Sequence, residues 1–589
     1  MQVKVSVIYY SVYRTGKAGE KLRKSVRWYL SVMFVVIACS IWVFTDDYNP
    51  QAVKQGASVI TRDSRWNGII AGNINSRGIK LQIDGKSVAA TAEQIFFDDE
   101  LQLYISSEVL SEWFLCAANF YSSNHLILEK FNSRIVLSAG QKTMMCDDQS
   151  RELSTKVLCR NNHIYVPSQV IEEGLSYNYT WDVNSNTAAF ANMKPDERVF
   201  PYIYDYRAGG RMPEIKNQST FGTCWAFASL MALETTLKPE INIDFSEDHM
   251  SINNNFSMTQ NDGGEYTMAI AYLASWTGPV LEEDDPYGDG YSPEGLEAVV
   301  HLQEAQVLES KNYDNIKKSV FLYGGVQSSL YMEMPDSRST SIYYDENKYS
   351  YCYIGPEKPN HDIVIIGWDD TYPASDFTFE PEGDGAFICA NSWGEEFGDR
   401  GVFYVSYYDS NIGVHNVIYT GIEGTDNYDN IYQSDLCGWV GQIGYDRDYA
   451  YFANVYTAND DESLEAVAFY SVAPDSSYEI YIVEDFKDEA SFSTRRLLTK
   501  GMFSNAGYYT VTIPEKVNLE QGGRYAIVVY IQTPNSKRPV AVEYRGDAAT
   551  ASVVLDDGEG YISPHGDIWI RTEETKQCNV CLKMFTNKR

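Results

Sequence analysis

The chain has 589 residues, too many for one compact core, and its 44% hydrophobic content predicts three to four folded domains. This content excludes a disordered protein and a small disulfide-stapled protein. The 47 Lys and Arg residues against 81 Asp and Glu residues give a net charge of −34. Because such a charge repels phosphate backbones, we expect no nucleic-acid partner.

Basic residues are concentrated at the start of the chain. Residues 1–27 carry a net charge of +6, which leaves −40 for the remainder. Residues 28–44 are uncharged and mostly apolar, at the short end of what crosses a bilayer as a helix. The positive-inside rule then places the basic head in the cytoplasm and the following residues outside the cell. We therefore predict a single-pass signal-anchor in the cell membrane, with the folded domains at the cell surface.

Three other interpretations of residues 28–44 stay open: a buried core helix, a cleaved signal peptide, and a lipid anchor. The lipid anchor would be on Cys39, because the three residues before it and Cys39 itself read like a lipobox. The apolar residues 41–44 continue past Cys39, where a lipoprotein usually turns polar, so we favour the uncleaved anchor. Residues 45–77 are polar and turn-rich, with no sustained apolar period, and are predicted to be a linker.

Residues 78–193 contain two similar units, each with a strand-like stretch, a short helix signal and a polar-aromatic strand. The first unit begins LQLYISSEVLSEWF and the second HIYVPSQVIEEGLSYNYTWD. Duplication of a small α+β unit is the simplest account. With the opening IKLQIDGKSV, the units resemble the copper amine oxidase N-terminal-like domain of bacterial surface proteins. His125 and His163 are isolated and have no ligand spacing, so we predict no copper site.

Residues 200–421 alternate one strong helix pattern with β-rich runs such as GVFYVSYY, which is typical of an α+β domain. Three segments carry reactive residue types: QSTFGTCWAF, which contains Gln218 and Cys224; NHDIVIIGW, which contains His361; and CANSWG, which contains Asn391. Cys224 and His361 are 137 residues apart. One Trp directly follows FGTC in the first segment, and another directly follows NS in the third. In this order the segments resemble the papain family of cysteine peptidases.

The apolar spacing after Cys224 predicts a helix that begins at this residue. A helix N-terminus favours an anion, so we expect a lowered thiol pKa and a reactive thiolate. His361 opens an apolar strand run, and imidazole can exchange a proton with the thiol near neutral pH. The resemblance implies that Asn391 orients this imidazole, that Trp393 shields their hydrogen bond, and that Gln218 donates to the oxyanion.

Substrate binding is carried by a weaker pattern. Gly263 and Gly264 stand where the papain family has a Gly-Gly that lets an extended peptide lie against the backbone. A surface turn is the alternative. Ser219 and Phe221 depart from the family, which usually has Gly and Cys there, so the loop before the nucleophile differs. The resemblance also leads us to look for a latency element, for which residues 78–193 or 194–210 are the candidates.

Residues 428–587 consist of short aromatic and β-branched runs broken by Gly, Asp, Asn and Pro, which predicts a β-sandwich or jelly roll. Its closing pattern, GYISPHGDIWIRTEETKQCNVCLKMFT, resembles the lectin-like domain that follows papain-type peptidases in clostridial surface proteins. The resemblance implies binding to cell-wall glycan or protein and a structural Ca²⁺. We assign no metal ligands, because the acidic run 460–462 is typical of a solvated loop and the CxxC at Cys578 and Cys581 lacks a second ligand pair.

The predicted fold is therefore multi-domain: an α+β papain-like peptidase between a small duplicated α+β domain and a β-sandwich, behind one transmembrane helix. The predicted function is a membrane-anchored extracellular cysteine endopeptidase that hydrolyses peptide bonds of surface or secreted polypeptides through an acyl-enzyme, without a catalytic cofactor. One alternative is a cell-surface adhesin or glycan-binding protein with an inactive peptidase domain. A cell-wall amidase or transglutaminase also uses Cys and His, but would not be expected to combine the FGTCWAF and NSWG contexts.

Overall fold

The computed structural model describes residues 64–589 except 89, 93, 115, 123–124, 131–132, 147–148, 161–162, 195–199, 239–240 and 557. The basic head and the predicted membrane span at 28–44 lie outside the described residues. Within the part that is described, no helix combines the length and the apolar character needed to cross a bilayer. The chain divides into two compact units: residues 1–76 with 97–101, and residues 77–96 with 102–589.

The described part of the first unit contains helix α1, Ser64–Ser76. The Asn75 side chain holds it against residue 97: Nδ2 donates to the Phe97 carbonyl at 2.8 Å and Oδ1 accepts from the Phe97 N–H at 2.9 Å. The prediction of an irregular linker over 45–77 is thus wrong for residues 64–76. Its weak apolar period, with Ala71 buried, becomes a helix because a distant backbone segment satisfies its polar end.

Residues 77–193 fold into short strands with two helical pieces, α2 at Ser107–Phe114 and a π-helical turn at Val170–Gly174. The strands are β1 Lys80–Ile83, β2 Lys86–Val88, β3 Ile95–Phe97, β4 Leu103–Ser106, β5 Ala117–Ser122, β6 His125–Lys130, β7 Ser133–Ser138, β8 Thr143–Cys146, β9 Gln149–Glu152, β10 Leu158–Arg160, β11 His163–Pro167, β12 Tyr177–Asp182 and β13 Thr187–Asn192. Two segments, β4-α2-β5 and β11-π-β12, repeat one strand-helix-strand order, and β4 pairs with β11. The internal duplication stays a prediction with which this order agrees.

The central domain surrounds helix α4, Cys224–Leu237, which is buried from Trp225 to Thr235 on all sides. A helix that is apolar all round belongs in a core, here between a sheet and its neighbouring helices. The other elements are β14 Ile203–Asp205, α3 Tyr206–Gly209, α5 Glu247–Asn253, α6 Tyr266–Ala274, β15 Val300–Val307, α7 Tyr313–Leu322, β16 Val326–Leu330, β17 Tyr344–Asp345, β18 Ser350–Tyr351, β19 His361–Asp369, a 3-10 turn Ala374–Asp376, β20 Ala386–Ala390, β21 Val402–Ser406 and β22 Asn416–Gly424.

The C-terminal domain is β-rich and packs its sheets around a core of apolar residues from β25, β26, β27, β29 and β30, as predicted for a sandwich. Its elements are β23 Asn430–Tyr432, β24 Gly441–Ile443, β25 Tyr449–Thr457, β26 Glu462–Ser471, β27 Ser476–Val483, a 3-10 turn Glu489–Thr494, β28 Arg496–Phe503, β29 Ala506–Leu519, β30 Arg524–Gln532, β31 Val540–Tyr544, β32 Gly560–Ser563, β33 Ile570–Arg571, α8 Thr572–Lys576, β34 Cys578–Val580 and β35 Leu582–Lys588.

One sheet runs through both domains. Twelve of its strands follow the order β17-β18-β21-β20-β19-β16-β22-β15-β29-β26-β35-β23, and the thirteenth, β14, pairs with β19. Strand β15 pairs with β22 of its own domain and with β29 of the next, where Ala305 lies opposite Tyr508 and Gln306 opposite Gly507. Sequence periodicity predicts two separate domains here, because it carries no information on which strand edges meet.

We expect Gly507→Ala to weaken this junction. A Cβ on Gly507 would lie 2.1 Å from the Ala305 carbonyl oxygen, at a φ of +145°. The free energy of unfolding should fall by about 3 kcal/mol or more, because backbone cannot move out of the way. Gly522→Ala is the matched control, with a φ of +77° and nothing within 4 Å of the new Cβ, and should cost about 1 kcal/mol. Equal losses in calorimetry of the two full-length variants would contradict the clash.

Candidate active site

Two adjacent strand ends bring His361 and Asn391 together. His361 is the first residue of β19, and Asn391 directly follows β20, which pairs antiparallel with β19. His361 Nε2 and Asn391 Oδ1 are 2.8 Å apart, and both residues are buried. Since Oδ1 only accepts, Nε2 carries the proton and Nδ1 is the nitrogen left for other chemistry. Asn391 therefore holds His361 in the Nε2–H tautomer in this structure, and the catalytic role that the resemblance implies for Asn391 stays a prediction.

Trp393 covers this hydrogen bond. Its ring centroid lies 4.9 Å from that of His361, and only 5% of its surface is exposed. Phe397 packs edge-on against the other side of the indole at 5.1 Å. The predicted role of Trp393 as a shield against water fits this arrangement, because an excluded solvent strengthens the hydrogen bond beneath it.

The N-terminus of α4 places Cys224 beside the start of β19. Cys224 is the first helical residue after the N-cap Thr223, and its side chain is partly exposed. Backbone N–H groups of Asp362, Trp225 and Cys224 itself face the sulfur. Because Asp362 is the next residue after His361, these contacts bring the thiol to the same strand end as the imidazole. The structure thus unites Cys224, His361 and Asn391 from three distant segments.

Gln218 lies in the loop before Cys224 with its amide held at both ends. Its Oε1 accepts from the Ser392 hydroxyl at 2.7 Å, and its Nε2 donates to the Phe221 carbonyl at 2.8 Å. The backbone of Gln218 also donates to the Ser392 carbonyl at 2.8 Å. An amide nitrogen carries two hydrogens, so one Nε2–H remains for an oxyanion next to Cys224.

The loop before Cys224 keeps its shape despite its unusual residues. Ser219 adopts a left-handed φ of +58°, which explains why the papain family usually has Gly there. Phe221, in place of the usual Cys, packs edge-on to Tyr287 at 6.2 Å. The Tyr287 hydroxyl donates to the Gln218 carbonyl at 2.9 Å and lies 2.7 Å from Thr223 Oγ1. Sequence reasoning missed Tyr287, because nothing in its own segment signals these contacts.

Gly263 and Gly264 lie next to the same loop. A Cβ on Gly264 would come within 2.4 Å of the Trp225 ring, and Gly263 has a φ of +80°. The Gly222 N–H donates to the Gln260 carbonyl at 2.9 Å, so this segment packs against the residues that precede Cys224. The two glycines thus pack against residues on both sides of the nucleophile, Gly222 and Trp225. Their predicted role in holding a peptide stays a prediction.

Burial disfavours the charged forms of Cys224 and His361 when each is considered by itself. It raises the pKa of the Cys224 thiol to about 12, helped by the Asp362 carboxylate, against the smaller effect of the backbone N–H groups. It lowers the pKa of His361 to about 4, although the hydrogen bond to Asn391 acts the other way. Burial thus acts against the effect that the sequence predicts for the helix N-terminus, and the lowered pKa of the thiol paired with His361 stays a prediction. The charges form together instead, when a proton moves from Sγ to Nδ1.

One candidate latency segment lies at the far end of the central sheet. Strand β14, within residues 194–210, pairs with the C-terminal residues of β19, where Tyr204 lies opposite Trp368. His361 is at the other end of this nine-residue strand, about 25 Å away. Residues 203–205 therefore extend the sheet and do not cover Cys224.

Metal-binding signals are weak among the described residues. No group of three or more His, Cys, Asp or Glu side chains in this part of the chain is placed to hold a metal ion. His163 contacts Glu108. In the acidic run 460–462, Asp461 accepts from the Gln521 N–H at 3.0 Å, and Glu462 is buried and accepts from Thr586 at 2.8 Å. These two carboxylates are thus bonded within the protein.

Family comparisons agree with this geometry. Residues 200–422 match the model of the papain family cysteine proteases. The match spans the whole central domain. Residues 82–190 match the copper amine oxidase N-terminal domain and residues 431–586 the lectin-like domain, which confirms all three predicted resemblances in their order.

Individual relatives of the peptidase domain cover part of the chain. Cathepsin K of Gallus gallus is 29% identical over 209 residues, which are 34% of this chain and 57% of that relative. Cathepsin K of Mus musculus is 27% identical over 213 residues, or 34% of this chain and 58% of that relative. The chain thus spans less than two thirds of the length of these curated relatives.

Solved structures extend the similarity across two domains. The clostridial cysteine protease Cwp84 after propeptide cleavage has a TM-score of 0.58 at 24% identity and covers 66% of this chain and 99% of its own. A structure of the cysteine protease and lectin-like domains of Cwp84, a surface layer associated protein of Clostridium difficile, gives the same score and identity, with 89% of its own chain covered. At this identity the likeness shows a shared fold.

Removal of the imidazole should expose the intrinsic pKa of Cys224. In His361→Ala we expect alkylation by iodoacetamide at pH 7 to fall at least about 100-fold, because a raised thiol pKa leaves little thiolate. The rate should then rise about tenfold per pH unit up to about pH 10, whereas the parent protein reacts well near neutrality. Mass spectrometry of the Cys224 peptide measures both rates. A plateau below pH 8 in the variant would show that the helix N-terminus alone suffices.

The amide of Gln218 can be tested with a substitution of nearly the same size. Gln218→Glu keeps an acceptor for Ser392 but has no N–H, so kcat on a peptide substrate should fall about 10²–10³-fold with KM nearly unchanged. Ser392→Ala removes only the bond that orients the amide, and should have a smaller effect. Steady-state kinetics of both variants provides the measurement. A loss under threefold in Gln218→Glu would remove this residue from the oxyanion site.

Proposed function

We propose that the protein is a membrane-anchored thiol endopeptidase that hydrolyses peptide bonds of surface or secreted proteins. The observation that carries the proposal is the 2.8 Å hydrogen bond between His361 and Asn391, with Cys224 at a helix N-terminus beside the same strand end. This arrangement provides a nucleophile, a proton carrier with a fixed tautomer, and an amide donor on Gln218. A degenerate domain in an adhesin would not need to retain Cys224, His361, Asn391 and Gln218 together.

The chemistry follows from these positions. Sγ of Cys224 gives its proton to Nδ1 of His361 and attacks the carbonyl carbon of the scissile bond. The Gln218 Nε2–H and the Cys224 backbone N–H then stabilise the negative oxygen. The imidazolium protonates the leaving amine, and a thioester to Cys224 remains. Water, deprotonated by His361, attacks the thioester and releases the acid and the free thiol.

The cellular placement is part of the proposal. The charge step from +6 over residues 1–27 to −40 over the rest supports a cytoplasmic head and an anchor at 28–44. Residues 78–193, 200–421 and 428–587 would then be extracellular domains. Since the similar Cwp84 is described as surface layer associated, proteins of the cell surface are the substrates we propose. The lectin-like domain at 428–587 would bind wall glycan or protein.

A covalent label tests the peptidase assignment. We expect a dipeptidyl epoxide inhibitor to add once to the full chain under reducing conditions, on Cys224, because this thiol lies beside an imidazole that can accept its proton. Intact mass and peptide mapping identify the modified residue. Cys224→Ser should stay unlabelled, and Cys159→Ser, which removes an exposed thiol, should label as the parent does. A folded parent protein without the adduct would exclude the proposed function.

A further inference from the structure

The lectin-like domain bonds to one segment of the peptidase domain from two of its loops. The Ser257 N–H donates to the Ala549 carbonyl at 2.7 Å. The Asn255 carbonyl accepts from the Ser552 hydroxyl at 2.7 Å and from the Cys437 thiol at 3.3 Å. These contacts lie far along the chain from the pairing of β15 with β29, so they form a second junction between the two domains.

Loop 547–552 of the lectin-like domain is ordered by its own side chains. Asp547 Oδ1 accepts from the N–H groups of Ala549 at 3.0 Å and Thr550 at 3.2 Å. The buried Thr550 hydroxyl accepts from the Gly546 N–H at 2.8 Å. An aspartate that bonds to the backbone two and three residues further on stabilises a turn. The carbonyl that receives the Ser257 N–H is therefore presented by a fixed turn.

The segment held in this way reaches the loop before the nucleophile. Three residues after Ser257, the Gln260 carbonyl accepts from the Gly222 N–H at 2.9 Å. The approach is close, since a Cβ on Gly222 would lie 3.3 Å from that carbonyl oxygen. Phe221 replaces the Cys that is usual in the papain family, so no disulfide can tie this loop in place. The backbone that leads to Cys224 thus depends on the position of Gln260.

The Gln260 side chain extends the same support to the other oxyanion donor. Its Nε2 donates to Oδ1 of the buried Asp248 at 2.6 Å. Asp248 Oδ2 accepts from the Gly288 N–H at 3.0 Å. The residue before Gly288 is Tyr287, whose hydroxyl donates to the Gln218 carbonyl at 2.9 Å. Both proposed oxyanion donors are therefore connected to the segment that the lectin-like domain holds.

We propose that loop 547–552 of the lectin-like domain is a positioning element for the oxyanion site of the peptidase. It holds residues 255–260, and these hold the Gln218 amide and the Cys224 N–H in the geometry that stabilises the negative oxygen. The inference rests on the proposed peptidase function. The thiol and imidazole are placed by α4 and β19, so the loop acts on oxyanion stabilisation and not on thiol reactivity. A contact that only joined the domains would leave the chemical step unchanged.

The test removes the two side chains of the loop in the full chain. In Asp547→Ala/Ser552→Ala we expect kcat on a peptide substrate to fall about tenfold with KM nearly unchanged, because misplaced donors stabilise the oxyanion less. Alkylation of Cys224 by iodoacetamide at pH 7 should keep its rate within about twofold, because it forms no oxyanion. Active-site titration with the epoxide normalises each preparation. If the double variant does not fold, Ser552→Ala alone, which removes one exposed hydroxyl, should show the same pattern with a loss of about threefold.

A matched control lies in another loop of the lectin-like domain. Asp488 accepts from the Ala490 N–H at 3.0 Å, and Ser491 accepts from the Lys487 N–H at 3.0 Å. These bonds stay within their own loop. Asp488→Ala/Ser491→Ala therefore makes the same two changes of side chain and should leave kcat at the parent value.

A double-mutant cycle with Gln218 distinguishes positioning from a general loss of structure. In Gln218→Glu, which lacks the amide N–H, the loop substitutions should lower kcat by less than about threefold further, because one of the donors that they position is already absent. A general loss of structure would lower kcat by the same factor in both backgrounds.

The outcomes separate this inference from the proposed function. No epoxide adduct on Cys224 in the parent protein would refute the peptidase itself. An adduct in the parent, with kcat unaltered in the loop variant, would refute the positioning role alone. Equal losses of kcat and of alkylation rate, or equal losses of kcat in both Gln218 backgrounds, would overturn it as well. A loss of kcat at constant alkylation rate that shrinks in the Gln218→Glu background supports it.

Discussion

The antiparallel pairing of β19 with β20 is the constraint on which the active site depends. Val364 lies opposite Ala390, so the first residue of β19 and the residue after β20 reach the same edge of the sheet. Both strands are buried, and the surrounding core fixes their register because a slip by one residue would turn apolar side chains outward. The hydrogen bond of His361 to Asn391 is therefore a consequence of the core. The same strand end supplies the N–H of Asp362 that faces Cys224.

A buried ion cluster couples the oxyanion loop to this core. Lys216 Nζ lies 3.2 Å from Glu234 on α4 and 2.8 Å from Glu247 on α5, and it also donates to the Phe245 carbonyl at 2.8 Å. Burial raises the pKa of Glu247 to about 8, so the cluster holds more acid than one lysine neutralises. Loss of one partner of such a pair typically costs about 3–5 kcal/mol. Because Gln218 is two residues from Lys216, the cluster sets where the oxyanion donor sits.

The residues of the site that could be predicted from sequence lie in segments with strong local patterns. Cys224 opens an apolar helix, and His361 and Asn391 border buried strands. The order and spacing of these segments along the chain are therefore sufficient to identify the three residues. Tyr287 could not be found this way, since its segment has no regular structure and its contacts to the Gln218 loop form only in the folded chain. Burial of Cys224, which raises the thiol pKa against the effect of the helix N-terminus, is likewise not visible in the sequence pattern.

The fold shows the same division. Strand and helix patterns in the sequence predicted the secondary structure of each domain. The sheet shared by two domains depends on the pairing of β15 with β29, which no sequence pattern indicates. Without β29, the edge of β15 would be open to pairing with other chains, a hazard that proteins usually cover.

The contacts that cover this edge are specific. Asn505 donates to Gln306 at 2.7 Å and accepts from Asn315 at 3.3 Å, so side chains on both sides of the junction are ordered as well as the backbone. The peptidase and lectin-like domains are therefore joined at β15 by both backbone pairing and side-chain hydrogen bonds. If the lectin-like domain binds the cell wall, this junction holds the site around Cys224 in a fixed orientation to that wall. The distance that the peptidase can reach from the membrane then depends on the residues that precede β15.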